Sequence, residues 1–291
     1  MNSRTQGYFY LAAAMVLVGS TVVASKIIGT GLPPFTATAL RFAVALPCFG
    51  LLMALTGARL PRLDRRDWLL LAAQAIAGSV GYTALLILGL RYTSAADAGI
   101  IIGTMPVVST ATAILVLGER PRPATLAAIA LAAAGVLFTA AQARPAQPQS
   151  LLGNTLILGA IVCESLFILL NKCLRQPLRP LAQSTCMSAL GLAVAAPAAL
   201  FEAPWAASVP PGALMAVAYY AVVPTVAGFL LWYAGSELVS GAEAALFTAV
   251  APVAALLLAA GVLGEPVSPR QLLGVACVLA SVLMLGRMRA A

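Results

Sequence analysis

Histidine is absent from the 291 residues, which removes imidazole acid–base chemistry, haem ligation by His and HExxH-type metal sites. Charge is scarce as well. Asp, Glu, Lys and Arg make up 9% of the chain and hydrophobic residues 62%, against roughly 25% and 45–50% in soluble domains. So few charges cannot coat a soluble core of this length, which excludes a soluble globular protein. The five cysteines, Cys48, Cys163, Cys173, Cys186 and Cys277, form no CxxC and lie in or beside apolar stretches. They read as small buried hydrophobes, with no disulfide framework or zinc site suggested. No GxxxxGK[ST] loop occurs, which excludes an ATP-driven engine within the chain. No metal and no cofactor is expected.

Acids are outnumbered, nine to seventeen cations, giving a net charge of +8. Nucleic-acid binding does not follow, because the Arg residues sit in short loops and tails without a basic stripe of interleaved aromatics. Anionic lipid and topology account for them. The first apolar run, residues 7–28, is too long for a signal-peptide core and lacks a convincing A-x-A site, so it is read as a span.

What the chain has in abundance is apolar runs of about 20 residues, the length that crosses a bilayer. Turn residues divide them into spans near 7–28, 35–56, 68–90, 95–117, 124–140, 152–172, 181–200, 212–236, 242–262 and 270–286. Only 141–151 looks like a linker. An offset of 146 residues aligns the halves without a net gap, with 18 identities over the 55 positions 85–139. Leu117-Gly118-Glu119 falls on Leu263-Gly264-Glu265, Pro106 on Pro252, Pro123 on Pro269, and Lys26 on Lys172, the only two lysines. Five spans per copy is odd, so the second copy enters the membrane inverted. The expected fold is an all-α membrane protein of ten transmembrane helices, built as two inverted-topology five-helix repeats, residues 1–145 and 146–291.

The doubled LGE-Pro motif, with TSAADA and VSGAEA opening spans 4 and 9, resembles the drug/metabolite transporter superfamily, whose members carry two inverted EamA-type domains. The general likeness is to YddG-type bacterial exporters of aromatic amino acids. The resemblance implies a central substrate cavity between the halves, export without a nucleotide engine, and a multi-pass protein of a bacterial inner membrane.

Acids and aromatics then sort by spacing. Ser94-Ala-Ala-Asp97 and Ser240-Gly-Ala-Glu243 have capping-box spacing, which favours a structural role at helix N-termini over a chemical one. Glu119 and Glu265, in the turns before spans 5 and 10, read the same way. Gly99 and Gly103 lie four apart, as helix–helix contacts in lipid require. Pro106 and Pro252 lie in mid-span, as static kinks or as hinges that gate alternating access.

Spans 1 and 6 set Val18, Thr21, Val22 and Ser25 opposite Glu164, Phe167, Ile168 and Asn171 in the repeat. Spacings of three, four and seven put each set on one helix face, which looks inward. Gln74, Gly78 and Tyr82 share a face of span 3. Span 8 brings Tyr219, Tyr220, Phe229, Trp232 and Tyr233, a candidate aromatic binding wall. Candidate substrate contacts are therefore Thr21, Ser25, Gln74, Tyr82, Glu164, Phe167, Asn171, Tyr220 and Trp232. Lys26 and Lys172 end spans 1 and 6, either snorkelling to headgroups or drawing substrate carboxylates at the two mouths as gates. Arg41, some six residues into span 2, is too deep to snorkel and is expected to anchor a helix terminus or a carbonyl. Glu164 is the only acid near the middle of a span. Either it is a structural carboxyl, protonated or paired with Arg41, or it binds a substrate amino group or carries a proton.

These readings point to a secondary transporter of small amphipathic metabolites, first of all aromatic and other neutral amino acids, moved by alternating access. Its partners are a small-molecule substrate and membrane lipid, not nucleic acid. The alternatives are an intramembrane enzyme, for which Ser20 or Ser25 with Lys26 is the only candidate pair, and a passive channel. An N-terminus in the cytoplasm leaves twelve loop and tail cations inside and four outside, so both termini are expected to be cytoplasmic. Reporters fused after Ala291 and within 141–150 should therefore report opposite sides; the same side from both overturns the ten-span topology.

Overall fold

A computed structural model describes residues 3–60, 63–117, 149–175, 178–203, 209–239 and 250–290, with positions 123, 126–127, 130–131, 134–135 and 247 besides. Helix is the only regular structure among the described residues. The elements are α1 (Ser3–Gly29), α2 (Pro34–Thr56), α3 (Arg65–Gln74), a π-helical segment π1 (Ala75–Gly81), α4 (Tyr82–Gly89), α5 (Ala95–Gly103) and α6 (Met105–Leu117). After the linker come α7 (Gln149–Lys172), α8 (Pro180–Leu200), α9 (Pro211–Tyr220), a second π-helical segment π2 (Ala221–Ala227), α10 (Gly228–Ser236), α11 (Val250–Leu263) and α12 (Pro269–Ala290). Among the described residues, six helical stretches are long and apolar enough to cross a membrane: Ser3–Gly29, Pro34–Thr56, Arg65–Gly89, Leu151–Leu170, Pro180–Leu200 and Pro211–Trp232. Leu51, Leu55, Leu69, Met215 and Leu257 remain exposed, as residues facing hydrocarbon would. The span expected over 124–140, and Glu119, Ser240 and Glu243, lie largely or wholly outside the described residues.

Packing repeats between the halves. The backbone of α4 approaches α7 so closely that a Cβ on Gly89 would lie 3.1 Å from the Gly153 carbonyl oxygen and 2.7 Å from Ile157. In α10 and α1, a Cβ on Gly235 would lie 3.1 Å from the Gly7 oxygen and 2.8 Å from Leu11. Each of these residues stands 146 positions from its counterpart. In the same way α1 packs on α10 and α11 while α7 packs on α4 and on α5 and α6, with α2 against α8 and α5 against α11 at the centre. Gly99 and Gly103 do allow the last of these contacts: a Cβ there would lie 2.5 Å from the Ala255 Cβ and 2.7 Å from Pro252 Cγ. The largest core cluster, including Val22, Leu86, Ile100, Ile101, Ile157, Ile161 and Leu256, fills the space between these helices.

Span 3 is not a uniform α-helix, and neither is span 8. The π segments fall at Ala75–Gly81 and Ala221–Ala227, again 146 residues apart. Pro224 explains the second. It has no N–H to give the Tyr220 carbonyl, and the hydroxyl of Thr225 donates to that oxygen instead, at 2.8 Å. At the matching place in π1, Gly78 has no Cβ and the Ser79 carbonyl accepts from the Thr83 hydroxyl at 2.9 Å. Span 4 also departs from the expected continuous helix with a mid-span proline. It breaks at Thr104, between α5 and α6, so Pro106 is the second residue of a new helix, where its missing N–H costs nothing.

Helix ends are capped from a distance. Ser94 caps α5 as its spacing predicts, its hydroxyl accepting from Asp97 N–H at 2.9 Å. The Asp97 carboxylate does more than complement its own helix: it accepts from the Gln271 side chain at 2.9 Å. Gln271 in turn completes a capping box with Ser268 at the start of α12. Glu265 precedes α12 yet caps α5 of the other half, accepting from Ala95 and Ala96 N–H at 3.0 Å each. Glu202 does the same for α2, accepting from Phe35 N–H at 3.1 Å and from Thr36 N–H and Oγ1 at 2.7 Å. Removing such a cap costs about 1–2 kcal/mol. Glu265→Ala should accordingly lower the melting temperature of the detergent-purified protein, with Glu265→Gln intermediate; unchanged melting in Glu265→Ala would show that the cap is dispensable.

Candidate functional site

Helix α7 carries its own orientation signal. Leu151, Leu158 and Val162 are exposed, while Ile157, Ala160 and Ile161 are fully buried. Glu164 follows the buried residues by seven, four and three positions, so it stands on the inward face, roughly opposite Val162. Unlike those neighbours it keeps part of its surface accessible. Glu164 is thus on the inward face without being fully enclosed by the residues around it.

Helix α7 packs against α3, π1, α4, α5 and α6. The Tyr82 phenol lies near Thr21 and within electrostatic range of both Arg41 and Glu164. Thr21 Oγ1 donates to the Val18 carbonyl at 2.7 Å. The Arg41 guanidinium lies 4.2 Å from the Phe42 ring centroid and 4.7 Å from that of Tyr220. Desolvated cation–π contacts of this kind contribute about 2 kcal/mol. One terminal nitrogen of Arg41 donates to the Ser79 carbonyl of π1 at 3.2 Å, the carbonyl anchor that its depth in the span called for. Its Nε has no partner. Arg41 and Glu164 interact electrostatically but do not approach to the 4.0 Å of an ion pair, since the pair Arg175–Asp64 at 2.6 Å is the only one among the described residues. The direct Arg41–Glu164 pairing considered from sequence is thereby corrected: Arg41 is held instead by rings and a carbonyl.

The other sequence-selected residues fall in several places. Ser25 and Gln74 are fully buried, and neither the Ser25 hydroxyl nor the Gln74 amide has a hydrogen-bond partner. Phe167 lies against Gly78, where a Cβ would stand 2.6 Å from the phenylalanine Cβ, and joins a cluster with Leu71, Ala75, Cys186 and Met187. Trp232 packs with Ala14, Met15 and Val18 of α1 and Ala251 of α11. Tyr220 is 3% exposed. Asn171 and Lys172 end α7, with side chains outside the described residues. Lys26 donates to the Leu90 and Thr93 carbonyls at 2.7 and 2.5 Å, tying α1 to the end of α4. Pro252 packs on Gly103, beside the break that Pro106 follows.

Sequence reasoning missed two features of this region. One is the contact of Tyr219 OH with Ser20 Oγ at 2.8 Å. The other is the contact of Arg41 with the Phe42 and Tyr220 rings, together with the π1 carbonyl that receives it. Gly78-Ser79 opposite Pro224-Thr225 in the repeat was the available signal, since both pairs disfavour a regular α-helix at the same position.

Among known proteins, the model of the EamA-like transporter family matches this sequence twice, over residues 5–141 and 151–287. The chain belongs to that family. The two matches are offset by the same 146 residues, so each half is one EamA-like repeat. Its relatives in Bacillus subtilis (strain 168) include "Uncharacterized transporter YetK", 34% identical over 280 residues and covering 94% of this chain and 85% of that one. Another is "Uncharacterized transporter YyaM", 26% identical over 281 residues, with 95% and 92% covered. A crystal structure 22% identical in sequence superposes with a TM-score of 0.66 over 99% of both chains, a likeness of fold. An EamA-family chain with several membrane-length helices is a multi-pass membrane protein whose relatives are named transporters.

The Gly78–Phe167 contact fixes how π1 lies on α7. Inserting a methyl there overpacks the contact and costs about 1–3 kcal/mol. Gly78→Ala should lower the melting temperature, whereas Gly50→Ala, where nothing lies within 4 Å, should not; equal effects of the two would remove the contact from any role in holding the site.

Proposed function

We propose that the protein is a secondary transporter that exports small amphipathic metabolites, foremost aromatic and other neutral amino acids, across the bacterial inner membrane by alternating access. It does so with ten spans in two inverted repeats and both termini in the cytoplasm. The observation that carries the reading is the inward-facing, partly open Glu164, close to Arg41 and Tyr82 and set among apolar helices. Burying a carboxylate in a membrane protein is costly, and such acids line substrate or ion pathways. Glu164 has Val18 at its repeat position, so the fold itself does not require the acid. The doubled contacts of Gly89 and Gly235 support the inverted arrangement, because each half offers the same surfaces to the other.

In this reading Glu164 holds the substrate amine or a proton, with Thr21, Tyr82 and Tyr220 at the wall of the cavity and Ser25, Gln74, Phe167, Asn171 and Trp232 around it. Exchange between inward- and outward-open forms is gated by Lys26 and Lys172 at the two mouths, and by Pro106 and Pro252 where spans 4 and 9 meet. The intramembrane-enzyme alternative draws no support from geometry. Lys26 Nζ is engaged by two carbonyls, so neither Ser20, whose hydroxyl donates to the Leu17 carbonyl, nor the unpartnered Ser25 is hydrogen-bonded to this lysine.

Purified protein in liposomes, offered a panel of labelled amino acids with and without a proton gradient, should accumulate or exchange aromatic ones. Glu164→Gln should cut that transport severalfold with melting temperature and expression nearly unchanged. Normal transport by Glu164→Gln would overturn the role given to this carboxylate.

A further inference from the structure

We propose that Arg41 is the anion-binding pole of the cavity and that Arg41 and Glu164 together select molecules carrying a carboxylate and an ammonium group a few ångströms apart. This role presupposes the transport function proposed above and adds to it the charge pattern of the substrate. Arg41 is 8% exposed, yet its Nε–H has no partner. The rest of the group is held: rings of Phe42 and Tyr220 lie against it, and one terminal nitrogen donates to the Ser79 carbonyl. A guanidinium so held has lost its side-chain freedom before any ligand arrives, which is what makes a preorganised oxyanion site.

The opposite charge is near but not in contact. Glu164 and Arg41 sense each other across more than ion-pair distance, with the Tyr82 phenol within range of both. Two opposite charges separated in an apolar bundle are each incompletely compensated. A zwitterion supplies both missing partners in one molecule, its carboxylate at Arg41 and its ammonium at Glu164. A pure amine or a pure acid compensates one pole and leaves the other. The repeat supports a functional origin for both groups. Arg41 has Met187 at its repeat position and Glu164 has Val18, so neither charge belongs to the duplicated scaffold. The rings against Arg41 accept no conventional hydrogen bond from its Nε–H, which stays available to an acceptor in the guanidinium plane, where carboxylates bind.

Three probes with one ring and different charges separate the poles: L-phenylalanine, 3-phenylpropanoate and 2-phenylethylamine, titrated into purified wild-type protein in detergent. Wild type should bind phenylalanine about tenfold or more tighter than either analogue. Arg41→Met, which installs the residue the repeat carries at 187, should weaken phenylalanine and 3-phenylpropanoate about tenfold, and weaken 2-phenylethylamine far less. Glu164→Gln should give the mirror pattern. Equal weakening of all three probes by Arg41→Met would make Arg41 structural and overturn the proposal. Should Arg41→Met fail to fold, Arg41→Lys keeps the charge and loses the fork, and it must still weaken the acid more than the amine; equal weakening again overturns it. Wild type that takes all three probes alike overturns the pole assignment and leaves transport standing. Wild type that takes none overturns the amino-acid reading along with it.

Discussion

A helix in a bilayer can end, break or widen only where something replaces the water its backbone groups would otherwise bond. That constraint accounts for where this chain spends its few polar side chains. Glu202 and Glu265 cover N–H groups at the starts of α2 and α5. Lys26 covers carbonyls at the end of α4, and Arg91 donates to the Leu32 carbonyl at the end of the α1–α2 turn. Thr225 and Thr83 cover the carbonyls loosened by the two π segments. With 9% charged residues, few are left over. Glu164 stands out because no backbone group claims it, and Arg41 because a carbonyl claims only part of its fork.

Symmetry and its violation divide the molecule into scaffold and site. The close glycine contacts, the π segments and the pairing of helices recur at one offset through both halves, so they answer to the needs of the fold. Arg41, Tyr82 and Glu164 have Met187, Gly228 and Val18 as counterparts. The unpaired polar groups therefore come from both halves, Arg41 and Tyr82 from the first and Glu164 from the second, at positions where the duplicated frame carries no matching group. A transporter made of two equal halves needs such an inequality, because a substrate with two different ends cannot be matched by two identical surfaces.

Much of the scaffold was legible because its signals are local or periodic. The Ser94–Asp97 spacing predicts a cap and gives one, Gly99 and Gly103 predict close packing and give it, and the LGE-Pro repeat fixes the register of the halves. Glu265 was legible as a capping residue but not as the cap of α5, since its distance in sequence from Ala95 hides the contact. Sequence also gave the depth of Arg41 and Glu164 without their relation. Whether two charges in separate helices touch depends on helix rotation, which for α2 is settled by the rings and the widened turn that receive Arg41. The π segments escaped a reading based on a 3.6-residue period, though Gly78 and Pro224 marked the place.

The long-range caps also bear on how the chain is assembled as it leaves the ribosome. Residues 95 and 96 enter the membrane about 170 positions before Glu265 is synthesised, and Thr36 waits a similar length for Glu202. During that interval two helix starts of the first repeat lack their final partners. Completion of the second unit is then what closes the first. The two halves are related by duplication, but two helix starts of the first are closed only by carboxylates of the second, so those ends gain their final partners late in synthesis.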